Sequence, residues 1–411
     1  RFVGDVQTRS IGVDWWRFAP GAVTDFATDS TWFVEAGSRD PGILVATPRL
    51  AVGDMHFRGS LRASRLKREP LADLFVSMPR QDAAMAAAAI PRSLLPTVAD
   101  MQAVGEVAWW LKLHVNVPHP WFSELAFQLR DKNCRITSMG KVDVMAIGGS
   151  FERRVNEDGN MLDDVKIGPA SGHWASLSQM PRWVPYAMTT TEDGSFWAHR
   201  GLNEFLLNRA VRLDLHYGRF VYGGSTLTQQ LVKNLYMTRS KFLARKLEEL
   251  LIVWAMERGL KKTRILEVYT NAVEFGPKLY GVSRGARYYF DKKPSQLTPL
   301  EAAFLGSIKP CPRCADYAFR GRLYKPWYQK RVLQILTRMM HYKVITQAQY
   351  DREMNTVPKF VGWPADKLAQ RFAWPVPEVN KPTQFDNKDG AGKKARGGRG
   401  NKLRRRRSGA G

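Results

Sequence analysis

The chain has 411 residues, enough for two or three domains that each bury a core. Hydrophobic residues make up 44% and aromatic residues 11%, which excludes a chain disordered throughout. The formal net charge is +25, with ten Lys or Arg and one acid between Lys388 and Gly411, and this excess points to anionic surroundings such as a membrane surface or anionic substrates.

Residues 1–178 read as a β-rich module. Short alternating segments at Leu44–Ala46, Asp54–Arg62, Trp110–Val117 and Lys141–Gly149 are punctuated by Gly, Pro and Asn. His56, Arg58, Ser60 and Arg62 alternate with Phe57, Gly59 and Leu61, the pattern of a half-exposed strand. A helix is predicted over about Gln81–Ala89. The module weakly resembles the β-rich lipid-handling domains of the AsmA kind, and no motif in it carries chemistry. No stretch approaches the roughly 18–20 apolar residues that span a bilayer: Ala83–Ile90 and Ile252–Met256 are both short. The chain starts at Arg1 with no visible export signal; an anchor upstream is expected only if the family resemblance given below holds.

From Met180 the texture turns helical. Leu202, Phe205, Leu206, Arg209 and Leu213 keep helical spacing. Over Arg245–Arg258, Leu247, Leu250, Leu251 and Trp254 form an apolar stripe with charges opposite. Further helices are predicted over Thr263–Val273, Thr298–Lys309, Pro326–Tyr342 and Thr346–Met354, with Thr298 and Glu301 as a start signal. Residues 358–411 have the composition of a disordered basic tail. Cys311 and Cys314 supply only two of the four ligands of a structural zinc; free thiols and a local disulfide are the alternatives.

Residues 191–310 carry five polar clusters in one order. They are Glu192-Asp193 with Phe196, His199 and Gly201; Gly223-Gly224-Ser225-Thr226 with Gln229, Gln230 and Lys233; Arg245-Lys246 with Glu249; Tyr269 and Asn271 with Phe275-Gly276; and Ala302-Ala303 running to Pro310. A partly desolvated carboxylate can act as a general base, and Glu192 has apolar neighbours in Met188, Phe196 and Trp197. The glycines ahead of Ser225 and Thr226 would allow close approach of backbone to phosphate, aided by a helix N-terminus. Lys233, Lys241, Arg245 and Lys246 offer cations for a departing anion, with Lys233, Lys241 and Arg245 on one face if the segment is helical. For any one of these charges the alternative reading is an exposed basic helix face.

Together the clusters resemble the peptidoglycan glycosyltransferases, glycosyltransferase family 51, over Trp183–Met354, a little under half of the chain. The resemblance implies an α+β multidomain protein: a mainly α, lysozyme-like glycosyltransferase domain at 179–357 after the β-rich one. It implies polymerisation of lipid II with inversion at the anomeric carbon and release of polyprenyl pyrophosphate. Glu192 would be the base and Glu249 a second catalytic carboxylate. Asp193, Phe196, His199, Ser225, Thr226, Gln229, Gln230, Lys233, Lys241, Arg245, Lys246 and Asn271 would bind substrate. Thr270 stands where the family usually has Leu. Leu202–Val221 would meet the membrane surface, although a core-facing helix fits its pattern as well. No metal and no obligatory cofactor are expected, with Mg or Mn at most stimulating. The implied partners are lipid II, the growing lipid-linked glycan, the membrane surface and other cell-wall synthesis proteins, with no nucleic acid, at the periplasmic face of a bacterial inner membrane. The transpeptidase motifs of bifunctional relatives are missing; Ser64-Arg-Leu-Lys67 matches one by chance, so a monofunctional enzyme is expected. The rival readings are a glycan hydrolase, which would need an acid for its sugar leaving group, and a non-catalytic basic scaffold.

Overall fold

The computed structural model describes residues 2–363 apart from 16–18, 20, 38–41, 66–68, 152, 158–159, 238–241 and 322–325. The tail reading for 358–411 and the Lys67 end of the chance motif therefore fall largely or wholly outside the described residues.

Seven antiparallel strands follow one another as a meander: β1 (Phe2–Val13), β2 (Val23–Gly37), β3 (Gly42–Val52), β4 (Met55–Ser64), β5 (Leu71–Asp82), β6 (Met101–Asn116) and β7 (Glu124–Met139). The strands are longer than the alternation suggested. The short helix α1 (Ala83–Ala88), capped by Asp82, separates β5 from β6. Pairing puts Val34, Val45, Leu61, Leu74, Leu113 and Leu125 in one row across β2–β7, so one face of the sheet is apolar. Arg62, Asp73, His114 and Glu124 make a polar row on the other. The strand predicted over 141–149 is absent. There Asp143 accepts from the N–H groups of Met145 and Ala146 and turns the chain into a 3-10 segment. A small hairpin, β8 (Arg153–Glu157) and β9 (Asn160–Ile167), follows.

The remainder is helical: α2 (Trp183–Thr190), α3 (Glu204–Tyr217), α4 (Leu227–Tyr236), α5 (Leu243–Gly259) and α6 (Lys262–Ala272), then the two-strand β10 (Glu274–Gly276) and β11 (Leu279–Tyr280). After these come α7 (Val282–Phe290), α8 (Pro299–Ile308), α9 (Pro312–Arg320), α10 (Pro326–His341) and α11 (Gln347–Met354). Thr298 and Glu301 do form the capping box of α8, and Thr346 caps α11. Every residue of α8 is buried, which makes it the central helix. Cys311 and Cys314 form a disulfide with Cα atoms 5.3 Å apart.

The apolar stripe expected on α5 is not its buried side. Ala244, Glu248, Glu249, Ile252, Val253 and Met256 are buried, while Leu247 is exposed. The two carboxylates are held inside because each finds partners. Glu248 accepts from Thr97 N at 2.6 Å and Thr97 Oγ1 at 3.0 Å, and so anchors the segment between α1 and β6. Trp254 packs on Ala83, Ala103 and Cys134 of the sheet region. The free edge of β7 is closed by α3: the Asn208 amide exchanges two 2.7 Å hydrogen bonds with Leu125 N–H and C=O, and Arg212 Nε donates to Ser123 O at 2.9 Å. A bidentate Arg258–Asp131 pair adds a further tie. The described residues of sheet and helices belong to one compact unit.

Candidate active site

The first cluster is the turn between α2 and α3, and Asp193 organises it. Its carboxylate is fully buried. His199 Nε2 lies 2.8 Å from Oδ1, Asn203 Nδ2 donates at 3.2 Å, and Leu227 N at the start of α4 donates at 3.1 Å. Burial alone would raise the Asp193 carboxyl pKa; the hydrogen bonds and charge of His199, with Leu227 and Asn203, outweigh it and hold the pKa below the ordinary carboxylate range. Phe196 is buried with the Lys262 ammonium 4.2 Å from its ring centroid. Gly201 has φ +88°, and a Cβ there would stand 2.4 Å from Val253 Cγ1, so the close approach of this turn to α5 requires glycine.

The second cluster builds the start of α4. Thr226 is its N-cap and exchanges capping-box hydrogen bonds with Gln229, while Thr226 Oγ1 donates to Gly201 O at 2.7 Å. Asp193 thus takes the Leu227 N–H and Thr226 the Gln229 N–H, so two of the first N–H groups of the helix are engaged within the fold. Gly224 serves packing as well, since a Cβ there would meet Leu207 Cδ2 at 2.9 Å, whereas Gly223 faces open space. Asp193, Phe196, Thr226 and Gln229 are buried with partners inside the fold, and Asn271 likewise clasps Ala175 N–H and C=O at 2.9 and 2.8 Å. Gln229 Nε2 is buried with no partner among the described residues.

Glu192 and Gln230, by contrast, are only half-buried. Gln230 Nε2 donates to Glu192 Oε2 at 2.9 Å, and Tyr269 from α6 donates to Gln230 Oε1 at 3.1 Å. Met188 and Phe196 beneath Glu192 are buried, whereas Trp197 is exposed. Sequence reasoning missed Lys309. It follows α8, is buried, donates to Met188 O, and lies 5.5 Å from the Tyr269 ring centroid. Burial pulls its ammonium pKa down to about 8, against the opposing pull of Glu192 and Asp193. The signal was a lysine closing an otherwise apolar helix.

The third cluster lies on α5. Glu249 is buried between Arg245, whose Nη1 donates at 3.2 Å, and Lys246, which also donates to Ser225 Oγ at 3.2 Å. Arg245 Nε is buried with no acceptor among the described residues. Lys233 is exposed on α4 and Arg245 sits on α5, with the chain leaving helical geometry between them, so the shared helical face is not formed. Lys241 falls outside the described residues. The arrangement therefore presents a half-buried carboxylate in the turn after α2, fixed by an amide of α4, and a compensated carboxylate surrounded by cations on α5, which packs on α4. Among the described residues, no group of three or more His, Cys, Asp or Glu is arranged to hold a metal ion.

The family model described as Transglycosylase matches residues 158–340. Penicillin-binding protein 1A of Aquifex aeolicus is 37% identical over 46% of this chain and 26% of its own length. The Biosynthetic peptidoglycan transglycosylase of Alcanivorax borkumensis is 34% identical over 41% of this chain and 65% of its own. That of Acinetobacter baumannii is 38% identical over 40% of this chain and 72% of its own. By this similarity, the chain belongs to the transglycosylase family, together with the biosynthetic peptidoglycan transglycosylases.

Proposed function

We propose that this protein is a peptidoglycan glycosyltransferase that polymerises lipid II into glycan strands. The observation that carries the reading is Glu192, a half-buried carboxylate oriented by Gln230, on a helical core that also holds the Arg245–Lys246–Glu249 cluster. In this reading Glu192 takes the proton from the acceptor's sugar hydroxyl. That oxygen attacks the anomeric carbon of the lipid-linked chain from the face opposite the pyrophosphate. The bond to pyrophosphate breaks with inversion, and polyprenyl pyrophosphate leaves carrying the electron pair. Lys246, Arg245, Lys233 and Lys241 supply positive charge for the leaving anion, and Glu249 holds the first two in place. A pyrophosphate leaves without a general acid, so the site needs no second acid beside Glu192. In this reading no metal is obligatory, and Mg or Mn would stimulate.

The helical region, 179–357, would carry the chemistry on a lysozyme-like frame, with the sheet region as an accessory. The substrate is lipid-linked, so the protein would work at the periplasmic face of the inner membrane, with lipid II, the growing glycan and other cell-wall synthesis proteins as its partners. Among the described residues no helix is long and apolar enough to cross a membrane.

Incubation with purified lipid II tests the reading. Glycan strands and free polyprenyl pyrophosphate are expected, with block by phosphoglycolipid inhibitors of the moenomycin type. Release of muropeptides from finished cell wall, with no product from lipid II, would establish a hydrolase instead. Salt-sensitive membrane binding with no turnover of either substrate would establish the scaffold.

A further inference from the structure

The end of α3 carries a concentration of exposed rings. Phe220 is 99% exposed, and Tyr217 and Tyr222 stand exposed beside it. Asp214 turns inward to accept from the N–H groups of Val221 and Tyr222 at 2.7 and 2.8 Å, which shapes the loop that holds these rings out. The acid of this loop is thereby engaged with backbone, while Arg219 is exposed.

The β6–β7 turn of the sheet reaches the same place. Trp121 is 55% and Phe122 71% exposed. The Trp121 ring centroid lies 5.9 Å from that of His216, His216 lies 5.1 Å from Tyr217, and Tyr217 lies 6.4 Å from Tyr222. Rings from sheet and helix therefore form one surface. The Asn208–Leu125 and Arg212–Ser123 hydrogen bonds fix the turn against α3 just below it. Exposed rings this close together are uncommon on a surface that meets only water. Trp and Tyr interleaved with arginine match the headgroup layer of a bilayer, where an aromatic body is buried and the cation meets lipid phosphate. The net charge of +25 gives the chain as a whole the complementary sign.

We infer that this composite surface seats the protein on an anionic phospholipid bilayer, with Trp121 and Phe122 of the sheet as an insertion point additional to the α3 loop. The inference rests on the proposed function to the extent that a lipid-linked substrate requires a site held at the membrane. It goes beyond that reading in assigning the sheet a role, because its turn sets the height and tilt of the helical region over the bilayer.

The test is co-sedimentation of the full chain with equimolar phosphatidylglycerol and phosphatidylcholine vesicles. It is run at high salt, where attraction of the basic C-terminal segment is screened and apolar insertion remains. The parent should partition onto vesicles, and W121S/F122S should lower partitioning roughly tenfold or more, with a parental melting temperature. V34S/L61S, on the apolar sheet face, should partition like the parent. Failure of the parent to bind would overturn the inference and favour a protein partner for the patch. Parental binding by W121S/F122S, or an equal loss in V34S/L61S, would overturn it as well. Turnover of lipid II by the parent in detergent is scored separately. Binding that depends on Trp121 and Phe122 without turnover leaves the inference standing and removes the proposed function; turnover with W121S/F122S still bound does the reverse.

Discussion

Gln230 presents its amide nitrogen to Glu192 Oε2 at 2.9 Å, and the orientation of that amide is imposed from behind. Tyr269 donates its hydroxyl hydrogen to Gln230 Oε1 at 3.1 Å, and a phenol in a site this buried stays protonated because burial, with Glu192 and Asp193 nearby, keeps its pKa well above the ordinary range. The amide must therefore turn its N–H toward the carboxylate. A donor on Oε2 fixes the carboxylate while leaving Oε1 for a proton.

Tyr269→Phe removes that constraint without changing volume. Polymerisation should fall by roughly 2–10-fold, the size of one modest hydrogen bond. Gln230→Ala should cost more, because it removes the donor to Glu192 itself. Initial rates on lipid II check both; a Gln230→Ala enzyme at the parental rate would dissociate the amide from the reaction.

Glu192→Gln keeps the shape and can still accept from Gln230, yet cannot take a proton. Polymerisation should drop by roughly 10²–10⁴-fold with an unchanged thermal midpoint. Turnover at the parental rate would exclude Glu192 as the base.

Lys309 is expected to give the activity an alkaline limit. With its pKa pulled down to about 8, the ammonium is charged below that pH and neutral above it. If its charge supports the Glu192 side of the site, kcat/KM should fall as pH rises through about 8. Lys309→Arg carries a guanidinium that stays protonated, so whatever its overall rate, it should lose the limb near pH 8. An identical limb in the arginine variant would assign the titration to another group.

Much of this site was legible in the sequence, because chemistry at the surface of a cleft uses polar residues that stand out from apolar helices. The structure brings Glu192 of the first cluster to Gln230 of the second, and Lys246 and Glu249 of the third to Ser225 of the second. What the sequence concealed was the division of labour within a cluster. Asp193 and Thr226 look like ligands for substrate, but they satisfy the N-terminus of α4, a role that one-dimensional spacing does not distinguish from binding. On α5 the apolar stripe pointed to the wrong side: Glu248 goes inside because Thr97, from a distant segment, donates to it, and Glu249 because Arg245 and Lys246 of its own helix compensate its charge. The sheet was foreseen only as scattered strands. Its order and its docking on α3 rest on long-range pairing that local alternation does not encode.

Glu248 couples sheet and helix in a pH-dependent way. Burial raises its carboxyl pKa despite the opposing hydrogen bonds from Thr97. In the folded protein it therefore takes up a proton at a higher pH than in the unfolded chain. Its contribution to stability is full below the unfolded pKa and is lost as pH rises through the folded one. Glu248→Gln has no such dependence, so the parent should lose ground to it between acidic and neutral pH in denaturant titrations. Glu248→Ala should be destabilised by about 1–3 kcal/mol, because Thr97 N is left without its acceptor. A parent and a glutamine variant that track each other across this range would remove the coupling.

Lys246 distinguishes two roles that a cation beside Glu249 could play. It could merely neutralise a carboxylate that is 3% exposed, or it could hold the departing pyrophosphate and use Glu249 and Ser225 as supports. Lys246→Met alone mixes both, since it strips one cation from a buried carboxylate and lowers stability as well as rate. Glu249→Gln removes the charge that needs compensation. If compensation is the whole role, adding Lys246→Met to Glu249→Gln should change the rate little. If the lysine meets developing charge on the leaving group, the double variant should still lose roughly 10²–10³-fold relative to Glu249→Gln, while its melting temperature stays near that of the single variant. The second outcome is expected: Lys246 spans Glu249 and Ser225 at the open side of the cluster, and Arg245 remains to compensate Glu249 in its absence. A rate that recovers in the double variant would reduce Lys246 to a structural counter-ion and move the leaving-group contact to Arg245 or Lys233.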